Sequence, residues 1–118
     1  FCPSVLWEYR AEYLQKPRDE FFMITSFTCP EPKRAKVPAV VHADATLRPQ
    51  TVKTEFNRRF WNLINEFGKL TGERLLLNTS FNIMGEPIVC GPREAIRCFY
   101  DNGLDVLVMD NFVLEKRP

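Results

Sequence analysis

Two stretches of this chain place polar side chains of several chemical types where the surrounding pattern is apolar. In His42-Ala43-Asp44-Ala45-Thr46-Leu47-Arg48-Pro49-Gln50 an imidazole, a carboxylate, a hydroxyl, a guanidinium and an amide occupy alternate positions. If the segment is extended, all five point the same way. The planar fork of Arg48 is a natural partner for phosphate or carboxylate oxygens. An antiparallel strand with one wet face produces the same alternation without chemistry, but such a face is usually Lys, Glu and Thr. The second stretch, Asn78-Thr79-Ser80-Phe81-Asn82-Ile83-Met84-Gly85-Glu86-Pro87-Ile88, gathers hydroxyls and amides where an apolar strand gives way to a Gly-containing turn. With backbone N–H groups such residues can hold an anion, and ligands of α/β sheets favour strand ends. A turn that bonds its own backbone uses the same residues, and the residues alone leave the two readings equal.

The elements that must position these groups follow from periodicity. Residues 3–6 read as a short strand, and Trp7, Ala11 and Leu14 fall at helical spacing. Phe21–Thr28 is aromatic and β-branched and reads as a strand that ends in a Pro-rich loop. Val37–Ala43 reads as a buried strand delivering His42. Thr54 is the expected N-cap of an amphipathic helix carrying Phe56, Phe60, Leu63, Ile64, Phe67 and Leu70, with Gly72 as its stop. The aromatic face of that helix is expected to be core. Leu75–Leu77 and Ile88–Cys90 read as strands on either side of the polar turn, Pro92 opens a second helix, and residues 106–114 form a terminal hairpin or one bent strand. Strands interleaved with helices predict a mixed α/β (α+β) sheet with packed helices.

The 118 residues fit a single domain with one core. With 16 basic and 15 acidic residues, a nucleic-acid partner held by a phosphate-neutralising field is disfavoured. No apolar run approaches the ~20 residues of a membrane span, and nothing resembles a signal peptide; a cytoplasmic protein is expected. Cys2, Cys29, Cys90 and Cys98 form no C-x-x-C pair, and the one His, His42, is remote from them in sequence, so no metal site is predicted. All four are expected to be reduced, with Cys90 and Cys98 buried. A lone imidazole is expected to be a hydrogen-bonded structural His, and Asp44 to pair with a neighbouring cation rather than with Mg²⁺. The chain opens on Phe1 rather than Met, directly on an apolar strand, which suggests a piece of a longer protein.

Three separated strings, FCPSVLWEY, AVVHADATLRPQTV and NTSFNIMGEPIV, together resemble the carboxy-terminal domain of the nodulation-type O-carbamoyltransferases, a family with enzymes of Nod-factor, aminoglycoside and cephamycin biosynthesis. The resemblance spans nearly the whole chain, residues 1–118. It implies a partial YrdC-like domain, a twisted open sheet with packed helices, whose signature pairs an upstream Lys-x-Arg with a Ser-x-Asn. Ser80-Phe81-Asn82 matches the second half, and Gly85-Glu86-Pro87-Ile88 resembles the same stretch of the hydrogenase-maturation carbamoyltransferase. The Lys-x-Arg half is expected upstream of Phe1.

The resemblance further implies ATP with Mg²⁺ as cofactor and carbamoyl phosphate as substrate. Carbamate attacks the α-phosphate of ATP, giving carbamoyl-adenylate and pyrophosphate. An amino-terminal domain resembling the threonylcarbamoyl-transferase fold, holding iron or another divalent metal, then moves the carbamoyl group to a hydroxyl. Arg48 and Ser80 take the catalytic roles, with Arg48 gripping a carbamate or phosphate oxygen. Asn78, Thr79, Ser80 and Asn82 line the phosphates, and His42 and Thr46 lie nearby. The Arg48 segment and the Ser80 bend are expected to converge on the anionic tail of the nucleotide. The partners implied are nucleotide and small-molecule substrates and the amino-terminal domain, with room for a homodimer of the full-length protein and with neither nucleic acid nor membrane. The alternative is a nucleotide-binding or docking module that does not turn over.

Overall fold

The computed structural model describes residues 1–116. They divide into two compact units, Phe1–Thr79 and a second from Ser80 onward, where composition predicted one core. The first unit is built on β1 (Cys2–Leu6), β4 (Gln50–Val52) and β5 (Leu75–Asn78), in the order β4-β1-β5. β1 runs parallel to β4 and antiparallel to β5. Its central place explains its composition: Ser4, Val5 and Leu6 are fully buried, and every residue of the strand except Cys2 is enclosed. β2 (Phe27–Thr28) and β3 (Thr46–Leu47) form a separate two-stranded pair. Helix α1 (Arg10–Tyr13) follows a 3₁₀ turn at Trp7–Tyr9, and α2 is the single turn Glu31–Arg34.

Three expected strands are absent or shortened, each for a local reason. Phe21–Ser26 is not extended, because the buried Glu20 carboxylate accepts the N–H groups of Phe22 and Ile24 at 3.1 and 3.4 Å and Met23 takes a left-handed φ of 57°. Val37–Ala43 is not a strand: Pro38 opens a 3₁₀ turn over Pro38–Val40, which buries Val37 and Val40, three residues apart. Ile88–Cys90 stays irregular; the Cys90 N–H goes to the Glu94 carboxylate at 2.8 Å instead of a neighbouring strand.

The long helix α3 (Arg58–Thr71) is capped by Asn57, whose side chain accepts the Phe60 N–H at 3.1 Å, and not by Thr54. The residues before it close a turn on the Lys53 carbonyl, which shifts the start by three positions. Gly72, at φ 82°, ends it in the left-handed conformation that glycine tolerates best, as expected. Its apolar face is only partly core. Ile64 is fully buried against Leu6 and Val52, whereas Leu63, Phe67 and Leu70 are exposed, as is Phe56 in the turn that precedes the helix.

The second unit holds α4 (Pro92–Tyr100) and the hairpin β6 (Val106–Met109) and β7 (Phe112–Glu115). Pro92 stands at the first helical position, and Glu94 reaches back to the Gly91 N–H at 3.1 Å. Ala95, Phe99 and Leu107 form its apolar cluster, with Phe81, Val89, Met109 and Leu114 against it. All four cysteines are free; Cys98 is buried, but Cys90 is exposed, contrary to expectation.

Candidate functional site

The polar groups of the first unit collect at the end of the sheet where β1 begins. Ser4 is a hydroxyl in an otherwise apolar strand, and it is fully buried, so it must be bonded. It donates to Gln50 Oε1 at 2.9 Å and accepts from Asn78 Nδ2 at 3.0 Å. Asn78 lies opposite Cys2 in the β1–β5 ladder. Arg48 Nη2 donates to Cys2 Sγ at 3.0 Å and Nη1 donates to the Met23 carbonyl at 2.9 Å. Arg48, Cys2, Asn78, Ser4 and Gln50 are thus linked through the sheet. Of the five guanidinium donors, these two are engaged, and the other three find no partner among the described residues. Arg48 is exposed and pinned by two contacts, an arrangement that offers a fixed fork to an anion.

The alternation from His42 to Gln50 does not survive as one extended face. Ala45 takes φ 64°, and the chain closes a turn in which the His42 N–H donates to the Thr46 carbonyl and the Ala45 N–H to the His42 carbonyl. Asp44 Oδ1 accepts from the Thr46 hydroxyl at 2.7 Å and from its N–H at 3.0 Å. Those bonds, that of the Thr46 side chain foremost, hold the Asp44 carboxyl below the usual aspartate range. Its partner is therefore Thr46 and not the neighbouring cation expected. With the Thr46 hydroxyl proton directed at Asp44, His42 Nδ1, 3.1 Å from Thr46 Oγ, must be the donor of that contact. The side chains of His42, Asp44 and Thr46 bond one another in a turn tied to β2 through Cys29 and Thr28, and among the described residues no hydrogen bond joins them to Arg48.

In the second unit Ser80 donates to Asn82 Oδ1 at 2.5 Å. Asn82 Nδ2 donates to the carbonyls of Ile83 at 3.0 Å and Glu86 at 3.1 Å. Gly85, at φ 87°, makes the bend possible. The polar turn thus bonds itself, and an anion would have to draw the Ser80 hydroxyl from Asn82. Thr79 is exposed.

Sequence reasoning missed Cys2, the Met23 carbonyl and Ser4. Only Ser4 left a signal, as the one hydroxyl in the apolar run from residue 3 to residue 6. Among the described residues no three of His, Cys, Asp and Glu gather closely enough to hold a metal ion, and no helix is long and apolar enough to cross a membrane.

Comparison with known proteins matches residues 1–116 to the family model described as Carbamoyltransferase C-terminus. The chain is 43% identical over 120 residues to Nodulation protein NolNO of Sinorhizobium fredii, covering 99% of this chain and 18% of that protein. It is 40% identical over 121 residues to Nodulation protein NolO of Bradyrhizobium diazoefficiens, covering 100% and 22% respectively. An uncharacterized protein of Methanocaldococcus jannaschii is 38% identical over 116 residues, at 98% and 23%. The chain spans about a fifth of the length of these curated relatives.

Proposed function

The chain belongs to the carbamoyltransferase C-terminus family, and from that premise we propose that it binds ATP and carbamoyl phosphate and forms carbamoyl-adenylate for transfer to a hydroxyl acceptor. The observation that carries this reading is the exposed Arg48 guanidinium, oriented by Cys2 and Met23 with donors to spare, in a chain matched over residues 1–116. Carbamate, released with phosphate from carbamoyl phosphate by water, attacks the α-phosphorus of ATP through an oxygen. One P–O bond forms, the bond to the β-phosphate bridge breaks, and pyrophosphate leaves. This chemistry requires placement of the reactants and fixed donors for spreading negative charge more than covalent help.

Arg48 supplies such donors to a carbamate or phosphate oxygen. Asn78 and Thr79 contribute polar groups to the phosphates, and the Ser80 hydroxyl can take an anion of its own only by giving up its Asn82 contact. His42 and Thr46 keep a supporting place. Asp44 is engaged by Thr46, and Mg²⁺ would arrive on the nucleotide, so no step runs through a metal held by this chain. Transfer to the acceptor, with an amino-terminal domain and its metal, belongs to the same proposal. The closed Ser80–Asn82 turn favours one alternative, a nucleotide-binding module without turnover.

ATP–pyrophosphate exchange by the natural full-length protein tests the reading. Removing a preorganised charged donor from a developing anion costs ~3 kcal/mol, or on the order of a hundredfold in rate. Arg48→Ala is expected to lose that much exchange with a nearly unchanged melting temperature. Exchange retained in the variant, or lost in proportion to stability, overturns the assignment of Arg48.

A further inference from the structure

The first unit contains an aromatic pocket that the reading above does not use. β4 is an edge strand, and the chain from Glu20 lies along it: the Thr51 N–H donates to the Glu20 carbonyl at 2.6 Å, and Gln50 Nε2 donates to the Phe21 carbonyl at 3.3 Å. This fixes Phe21 and Phe22 beside Phe56 and Phe60, around a cavity of about 420 Å³ with Val52 and Lys53 also lining it. The volume falls in the range of small-molecule sites, ~300 to 1,000 Å³. Phe21 meets Phe56 edge to face at 5.2 Å and 87°. Phe22 is 79% exposed and Phe56 67%, so two large aromatic side chains stand largely free at the same cavity.

The loop that presents Phe22 is held by several bonds. The Glu20 carboxylate takes the Phe22 and Ile24 N–H groups, Gln50 takes the Phe21 carbonyl, and Arg48 takes the Met23 carbonyl, across a non-glycine residue in the left-handed region. Such a conformation persists only where the surroundings over-determine it. An outward Phe22 is therefore part of the local design.

The lining selects the ligand. Lys53 Nζ is paired with Asp19 at 3.0 Å and already lies 5.3 Å from the Phe21 ring and 5.9 Å from the Phe56 ring. It offers no unpaired charge to an anion and disfavours a second cation over the same rings. The Gln50 amide is bonded at both ends. The Asn57 Oδ1 is engaged by the Phe60 N–H, while its Nδ2 has no partner among the described residues and can donate. What suits this lining is neutral, flat and able to accept a hydrogen bond, which describes a nucleobase stacked on phenylalanine. Arg48 grips the residue next to Phe22 in the same loop, and two residues of chain span no more than about 7 Å.

We propose that the Phe21–Phe22–Phe56–Phe60 pocket holds the base of the nucleotide whose phosphates Arg48 contacts. The proposal rests on the nucleotide-binding reading given above. Titration calorimetry on the full-length protein, with ATP and with inorganic tripolyphosphate as separate probes, distinguishes the two. Phe56→Ala is expected to weaken ATP by on the order of tenfold to a hundredfold, with tripolyphosphate affinity and melting temperature unchanged. Phe56→Trp should keep ATP affinity and add tryptophan fluorescence that ATP quenches and tripolyphosphate does not, beyond the response of the wild type with Trp7 and Trp61. Undiminished ATP binding by Phe56→Ala, or equal weakening of both probes, overturns the base pocket while leaving nucleotide binding standing. A wild type that binds neither probe overturns both.

Discussion

The cluster around Arg48 and the turn around Ser80 contain similar polar groups, yet they leave them in opposite states. Arg48 is pinned by a carbonyl and a thiol and keeps donors without partners among the described residues, whereas Ser80 and Asn82 satisfy one another and their own turn. A polar turn closed on itself stabilises backbone geometry; a pinned cation with open donors stores recognition that a ligand completes. The two regions should therefore answer mutation differently, even though both matched one expected site.

The largest effect concerns the units that carry them. Phe99 is fully buried at the centre of the second unit's apolar cluster, and Phe99→Ala is expected to cost about 3–5 kcal/mol. Hydrogen exchange should show protection lost first across α4 and the β6–β7 hairpin. Simultaneous loss across β1, β4 and β5 would merge the two units energetically.

Next comes the rate effect of Arg48→Ala given above, against Ser80→Ala, where a neutral hydrogen bond of about 1 kcal/mol predicts roughly a fivefold loss of exchange. Equal losses at the two positions, measured in the same assay, would erase the contrast drawn here.

The smallest effect is one of pH. The Glu20 carboxyl is held below the usual glutamate range by hydrogen bonds, the Thr25 side chain's first and then loop N–H groups, against a burial that opposes them. Because its folded value is depressed, its contribution is complete above the ordinary value of about 4.3 and fades as pH falls through the lowered one. Exchange protection at Phe22 and Ile24 should weaken on that acid side and hold steady from pH 5 to 8. A loss on raising the pH within that interval contradicts the assignment.

The mixed α/β class was legible because β1, α3, β5, α4 and the terminal hairpin each announce themselves within a few residues, by apolar runs, three- and four-residue spacing, Gly72 and Pro92. The site was legible only in residue type. The alternation from His42 to Gln50 looks like one face, but a left-handed Ala45 folds His42, Asp44 and Thr46 back on themselves and sends Arg48 to Cys2 and Met23. Nothing in a linear pattern marks a left-handed alanine. The strand expected at Phe21–Ser26 failed for a related reason: one buried carboxylate, Glu20, competes for the N–H groups a ladder needs. The aromatic face of α3 was read as core because periodicity reports which residues share a face, not whether anything covers it; Leu63 and Leu70 lie open.

Isothermal titration of ATP into the full-length protein and its Arg48→Ala variant tests the central claim most directly. Saturable binding by the wild type, weakened at least tenfold in a variant that melts at the same temperature, is the predicted result. Equal affinity in the two proteins would contradict it.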